Sequence, residues 1–204
     1  MSARFAAILS DLDGVLVGSG DSIVRTWHAW ARSHGIDPAA LDGRFHGVPS
    51  AQVIRAVAPH LDADAESAVV ERMEIDNPAA TVLPGAAELL NGAGAPLPVA
   101  IVTSCSDALA HARLSEAGLP VPAVMITADR VSAGKPDPEG YRRAAAALGV
   151  DPARCVVLED APAGIAAGRA AGATVIAIAT THPAAELYGA EAIVASVAEA
   201  LALL

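Results

Sequence analysis

The stretch ILSDLDGVLVGSG, residues 8–20, places two carboxylates directly after an apolar run. An aspartate rarely follows a buried strand unless its charge is used there. On an extended backbone Asp11 and Asp13 face the same side, while Leu12 turns into the core. Gly14 then permits the chain to turn sharply. The stretch therefore predicts a buried strand that carries two acids to one edge of a sheet.

Apolar runs of strand length alternate with helical patterns in most of the chain. Such nearly continuous apolar runs are typical of parallel strands that are buried on both faces. The predicted strands are FAAIL (5–9), PVAIVTS (98–104), VMITA (124–128), CVVLED (155–160) and TVIAIAT (174–180). The predicted helices are 84–94, 107–118, 138–149 and 163–172. This alternation predicts an α/β fold, a doubly wound Rossmann-like parallel sheet.

One region interrupts the alternation with three helical patterns and no convincing strand. These patterns cover residues 21–35, 50–61 and 65–75. We therefore predict an inserted, all-helical cap domain at 17–83, and a catalytic core formed by 1–16 and 84–204. The stretches GSG (18–20) and NPAATVLPG (77–85) are the predicted hinges.

The bulk composition excludes several classes of function. The 204 residues carry a net charge of −10 and only 3 % aromatic side chains, so a nucleic-acid surface is not expected. No run has the length or flanks of a signal peptide or a membrane span. Cys105 and Cys155 are expected to be reduced thiols. We predict a cytoplasmic protein without membrane or nucleic-acid partners, either a monomer or a homodimer.

The candidate functional residues follow the predicted strands or lie in the loop before a predicted helix. They are Asp11, Asp13, Thr103, Ser104, Lys135, Glu159 and Asp160. In an open parallel sheet, ligands bind beyond the carboxyl ends of the strands. Crowded carboxylates raise one another's pKa, and a hard divalent cation such as Mg²⁺ resolves that repulsion. The same cation lets an acidic cleft accept a phosphate, so the residues indicate phosphoryl transfer.

Four motifs in this order resemble those of the haloacid dehalogenase superfamily. They are DLDGVL (11–16), VTS (102–104), GKPDP (134–138) and LEDAPAGIAAGRAAG (158–172). The resemblance is to the phosphatase branch with a small helical cap, because the second aspartate of the first motif separates phosphotransferases from dehalogenases. Within that branch the chain is similar to sugar and polyol phosphatases, including those of glycerol phosphate and 2-deoxyglucose 6-phosphate.

The resemblance implies hydrolysis of small phosphomonoesters in two steps. Asp11 is the expected nucleophile, which forms an aspartyl-phosphate, and Asp13 is the expected general acid and base. Thr103 is expected to bind the transferring phosphoryl group. Lys135 is expected to steady both the nucleophile and the phosphate.

The resemblance also implies a Mg²⁺ cofactor and a small phosphorylated metabolite as partner. The expected metal ligands are Asp11, Asp13, Glu159 and Asp160, with Asp13 contributing its backbone carbonyl and Glu159 reaching the metal directly or through water. The expected substrate-binding residues are Thr103, Ser104, Lys135 and, in the cap loop, His46.

One departure from the family pattern concerns the first hinge. Many relatives carry Asp-Ser shortly after the first motif, where this chain has Gly18 and Ser19. We expect this change to affect cap closure rather than the chemical step.

The sequence leaves two alternatives to a phosphatase. A β-phosphoglucomutase-like phosphotransferase must hold a second phosphate, and such mutases carry Arg where this chain has Ser50. They also carry Lys and Asn where it has Ser106 and Asp107, and a carboxylate there repels phosphate. The second alternative is a phosphoacceptor switch of the receiver type or a catalytically silent binding protein. Receivers are shorter and lack both an inserted cap and the paired aspartates.

Overall fold

A computed structural model of the protein describes residues 4–41, 50–93 and 96–204. Its strands are β1 (Ala7–Ser10), β2 (Val17–Gly18), β3 (Thr81–Val82), β4 (Val99–Val102), β5 (Val124–Ile126), β6 (Cys155–Glu159), β7 (Thr174–Ile178) and β8 (Ala192–Val194). Its α-helices are α1 (Gly20–Ser33), α2 (Ser50–Val57), α3 (Ala63–Asp76), α4 (Ala86–Leu90), α5 (Asp107–Glu116), α6 (Glu139–Ala147), α7 (Pro162–Ala171) and α8 (Val197–Leu201). None of the helices in these ranges is both long and apolar enough to cross a lipid bilayer.

Six of the strands form one parallel sheet in the order β5-β4-β1-β6-β7-β8. Side chains alternate between its two faces, so Ile8 packs in the apolar core on one face and Leu9 in the core on the other. Both faces are covered by helices and their cores. The nearly continuous apolar runs follow from this double burial, and the predicted doubly wound α/β fold is confirmed.

Two features of the strands differ from the sequence prediction. β2 and β3 pair antiparallel at the two ends of the helical insert, so the expectation of no strand between 17 and 83 is wrong. Each has only two residues, which is too short for a period-2 pattern to be recognised. β8 has no counterpart among the predicted strands, because a three-residue edge strand with the exposed Ile193 lacks the continuous apolar signal of a buried strand.

Helices α1, α2 and α3 share an apolar core of their own, which includes Trp27, Trp30 and Ile54. The two indole rings meet edge to face with centroids 5.6 Å apart, a favourable aromatic geometry. α3 begins two residues before the predicted helix, because the Asp62 side chain accepts hydrogen bonds from two N–H groups of its first turn. α3 also packs against α5 of the α/β core.

Candidate active site

The carboxyl ends of three neighbouring strands bring the candidate side chains to one edge of the sheet. β1 lies between β4 and β6. Asp11 and Thr103 directly follow β1 and β4, and Glu159 is the last residue of β6. Because parallel strands end at the same edge, these groups converge there with Asp160.

Three carboxylates at this edge form a tight acidic cluster of Asp11, Glu159 and Asp160. One oxygen from each lies within 4.8 Å of the others. Burial, together with the charges of Glu159 and Asp13, raises the pKa of Asp11 to about 7 despite the opposing effect of Lys135. Burial and the charges of Asp11 and Glu159 raise the pKa of Asp160 to about 8. A set of convergent carboxylate oxygens fits a hard divalent cation, which would relieve this repulsion.

Lys135 supplies the positive charge of the cluster. Its Nζ lies 2.9 Å from Oδ1 of Asp11 and 2.6 Å from Oε1 of Glu159. Burial alone would lower the pKa of Lys135, but the charges of Asp11 and Glu159 outweigh it and raise that pKa well above its usual value. Lys135 is therefore a permanent cation beside the predicted nucleophile.

Glu159 is fully buried, and both of its carboxylate oxygens are engaged. Oε1 accepts hydrogen bonds from Lys135 and from the Tyr141 hydroxyl, the latter at 2.8 Å. Oε2 accepts from the backbone N–H groups of Asp160 and Ala161 at 3.0 and 3.2 Å. The carboxylate therefore anchors Lys135 to the end of the sheet.

Asp160 is held by the loop after β7. The Thr181 hydroxyl donates to Oδ2 of Asp160, and Nδ1 of His182 lies 3.1 Å from the Asp160 backbone oxygen. Gly14 approaches this carboxylate closely: at φ +76° a Cβ on Gly14 would lie 2.0 Å from Oδ2. The glycine of the first motif is thus required both by its backbone conformation and by the space that Asp160 occupies.

The carboxylate of Asp13 lies outside the acidic cluster, toward the helical insert. Its Oδ1 accepts a 2.5 Å hydrogen bond from the Ser19 hydroxyl. Its Oδ2 contacts the Arg113 guanidinium and lies 3.0 Å from the Cys105 sulfur. Leu12 is fully buried, as the alternation of side chains predicts. The two aspartates of the first motif therefore occupy different electrostatic environments.

The remaining predicted residues differ in burial. Thr103 is buried, and its Oγ1 accepts a hydrogen bond of 3.1 Å from the Cys105 backbone N–H. Ser104 is exposed beside it. His46 lies outside the described residues, so its predicted substrate contact remains a prediction.

Three residues that contact the site carried no role in the sequence prediction. The sequence contains one indication of a role for Arg113, since this charged residue shares the buried face of α5 with Leu109 and Leu114. A charged residue on an apolar helix face indicates a buried partner. Tyr141 gave no such signal, because a tyrosine on the buried face of a helix is ordinary. Thr181 directly follows the predicted strand TVIAIAT (174–180), but it lies outside the four motifs.

A family model described as haloacid dehalogenase-like hydrolase matches residues 5–172. The chain is 44% identical to hexitol phosphatase A of Escherichia coli strain K12, over 86% of this chain and 83% of that protein. It is 36% identical to 2-deoxyglucose-6-phosphate phosphatase 2 of Saccharomyces cerevisiae, over 90% of this chain and 84% of that protein. The predicted similarity to sugar and polyol phosphatases is confirmed.

Solved structures agree with the fold. The crystal structure of CbbY from Rhodobacter sphaeroides in complex with phosphate superposes with a TM-score of 0.82 and covers 96% of each chain. At 24% sequence identity this likeness establishes the architecture alone.

Proposed function

The chain belongs to the haloacid dehalogenase-like hydrolases, and we propose that it is a magnesium-dependent phosphatase of small sugar or polyol phosphates. Its matched relatives are phosphoric monoester hydrolases of hexitol and deoxyhexose phosphates, which supports this substrate class. The observation that carries the proposal is that the two aspartates of the first motif have different surroundings at the sheet edge. Asp11 lies beside a cation and two further acids, while Asp13, two residues later, is held apart from them.

Asp11 is the proposed nucleophile. One of its oxygens attacks phosphorus, the bond between phosphorus and the ester oxygen breaks, and an aspartyl-phosphate forms. Lys135, 2.9 Å from Oδ1, disfavours protonation of this carboxylate and supports it against the raised pKa that burial produces. The same ammonium would pair with the oxygens of the arriving phosphoryl group.

Asp13 is the proposed general acid and base. In the first step it gives a proton to the departing alkoxide, which is a poor leaving group without that proton. In the second step it takes a proton from the water that attacks the aspartyl-phosphate, so that inorganic phosphate leaves and Asp11 is restored. The position of Asp13 outside the acidic cluster suits a residue that faces the leaving group and the water rather than phosphorus.

The proposed metal ligands are the carboxylates of Asp11 and Asp160 and the backbone carbonyl of Asp13. A bound Mg²⁺ would supply positive charge for the phosphate oxygens and for the crowded acids. Glu159, also predicted as a ligand, has both oxygens engaged by hydrogen bonds within the protein. We therefore favour a role for Glu159 in orienting Lys135 over direct coordination.

The remaining proposed roles concern the phosphate and the cap. The buried hydroxyl of Thr103 already accepts from Cys105, which leaves its own proton to donate to a phosphate oxygen. Exposed Ser104 would provide a second donor at the same edge. We propose that residues 17–83 act as a cap that excludes bulk water and selects the substrate.

The mutase alternative is not favoured. Its sequence argument relied on repulsion between Asp107 and a second phosphate, and that argument is weaker than expected. Arg130 donates to both oxygens of Asp107, at 3.2 and 2.7 Å, and compensates its charge. The preference for a hydrolase therefore relies on the phosphatases that the chain resembles.

Two expectations remain predictions. A cytoplasmic location is consistent with two unpaired thiols, Cys105 and Cys155. A monomeric or homodimeric state awaits a measurement of mass in solution.

The test is phosphate release from a panel of hexitol, hexose, deoxyhexose and glycerol phosphates with Mg²⁺. We expect multiple turnovers with wild-type protein and none with Asp11→Asn, whose circular dichroism should stay native. A single phosphorylation that stalls would identify a phosphoacceptor switch, and phosphate transfer between sugar positions without release would identify a mutase. Unchanged turnover by Asp11→Asn would refute the assignment of the nucleophile.

A further inference from the structure

Arg113 is a buried cation on helix α5 of the α/β core. Only 3 % of the residue is exposed, and it shares the inner face of α5 with the apolar side chains of Leu109 and Leu114. A guanidinium taken out of water is tolerated only where acceptors replace the lost hydration. The partners of Arg113 therefore indicate what its charge is used for.

The guanidinium joins the α/β core to the helical insert. Nη1 donates to Oδ2 of Asp13 and lies 2.9 Å from the Cys105 sulfur. Nη2 donates to Oε2 of Glu74 at 3.1 Å, and Glu74 is a buried residue of α3 in the insert. Nε has no hydrogen-bond partner, so the two terminal nitrogens alone hold the group in place.

We infer that Arg113 is a positioning residue for the proton-transfer group Asp13, and that Glu74 ties this positioning to the helical insert. The inference rests on the proposed function, in which Asp13 protonates the leaving group. The planar guanidinium directs one nitrogen to each carboxylate, which an ammonium cannot do at once. The positive charge of Arg113 is shared between Asp13 and Glu74, because each carboxylate accepts from one of its terminal nitrogens. Arg113 therefore orients Asp13 without pairing with it alone.

Substrates whose leaving groups differ in basicity distinguish this positioning role from a merely structural one. An alkyl phosphate expels a strongly basic alkoxide and needs the proton from Asp13, whereas p-nitrophenyl phosphate expels a weakly basic phenolate and needs little help. The specificity constant kcat/KM reports the steps up to departure of that group. A misdirected Asp13 therefore slows alkyl phosphates selectively, whereas general damage to the site slows both substrates alike.

The experiment measures kcat/KM with Mg²⁺ for glycerol phosphate, phenyl phosphate and p-nitrophenyl phosphate. The variants are Arg113→Met, Arg113→Lys and Glu74→Gln. For Arg113→Met we expect a loss of about tenfold to a hundredfold on glycerol phosphate and less than about threefold on p-nitrophenyl phosphate. Arg113→Lys should recover part of the loss, and Glu74→Gln should show the same selectivity with a smaller amplitude.

The matched control is Arg55→Met, which removes an exposed ion pair between Arg55 of α2 and Asp64 of α3, the helix that also carries Glu74. We expect wild-type constants for all three substrates. If Arg113→Met does not fold, the inference is tested by the selectivity of Arg113→Lys and Glu74→Gln between the same substrates. Equal losses on all three substrates, or no loss, would overturn the inference. Absence of wild-type turnover, or full activity of Asp11→Asn, would instead overturn the proposed function.

Discussion

The hydroxyl of Tyr141 donates a 2.8 Å hydrogen bond to Oε1 of Glu159, the oxygen that also accepts from Lys135. Burial and the charge of Glu159 raise the pKa of Tyr141 well above its usual value, so the phenol remains a donor. The ring lies beside the ammonium as well, with Nζ 5.4 Å from its centroid. Tyr141 thus supports the carboxylate that orients Lys135.

Tyr141→Phe should lower the free energy of unfolding by about 1–2 kcal/mol, because it removes one of the two donors to a fully buried acceptor. We also expect kcat to fall several-fold as Lys135 loses its fixed position. Urea unfolding and steady-state kinetics measure the two effects. The control is Tyr188→Phe, since Tyr188 is 78 % exposed; an equal loss of stability in both variants would contradict the assigned contact.

Magnesium binding should release about one proton per ion at about pH 7. Without the ion, the pKa of Asp11 is about 7 and that of Asp160 about 8, and coordination requires both carboxylates ionised. Calorimetric titration in two buffers with different ionisation enthalpies counts the protons. We expect the affinity to weaken as the pH falls below about 7. Binding that is independent of buffer and pH would exclude these residues as ligands.

Thermal stability without Mg²⁺ should fall as the pH rises, and the stabilisation by Mg²⁺ should grow. The folded-state pKa values of Asp11 and Asp160 lie above the ordinary value of 3.8, so the folded metal-free protein binds more protons than the unfolded chain. Its unfolding free energy should therefore fall as the pH rises from about 4 to about 8. The gain in Tm on adding Mg²⁺ should be larger at about pH 8 than at about pH 6, and Asp160→Asn should abolish most of that difference.

Lys135→Met should reduce kcat/KM by at least about a hundredfold, because the proposed nucleophile Asp11 and the phosphate lose a neighbouring cation. It also leaves Glu159 and Asp11 without their buried partner, which should cost about 3–5 kcal/mol of stability at about pH 8. The loss should be smaller at about pH 6, where the crowded acids take up protons. Arg4→Met, which removes the exposed pair with Glu191, is the control and should change stability by less than about 1 kcal/mol.

Gly164→Ala should destabilise the protein by about 1–3 kcal/mol or more, because a Cβ there would lie 1.6 Å from Oε1 of Glu159. Displacement of Glu159 should lower activity as well. Gly20→Ala is the matched control: it lies in the first turn of α1 with nothing within 4 Å of the added carbon. That substitution should leave stability unchanged or raise it by up to about 1 kcal/mol. Similar losses in both variants would contradict the close packing of Glu159 on α7.

Local patterns in the chain are sufficient for the sheet and for most of the acidic edge. Buried parallel strands need continuous apolar runs, and such runs can be read without knowing their partners. Because parallel strands end at one edge, the residues after β1, β4 and β6 must lie together once the sheet is recognised. Asp11, Thr103 and Asp160 could therefore be placed from the sequence, and Lys135 with them through its motif.

Only the tertiary structure decided which side chains surround the two aspartates of the first motif. Arg113 lies 100 positions from Asp13 in the chain, and Glu74 lies 39 positions from Arg113. Their meeting depends on how α3 of the insert packs on α5, and side-chain contacts across packed helices leave no periodic signal in either segment. The burial that raises the pKa values of Asp11 and Asp160 has the same origin, since solvent exclusion is a property of the assembled fold.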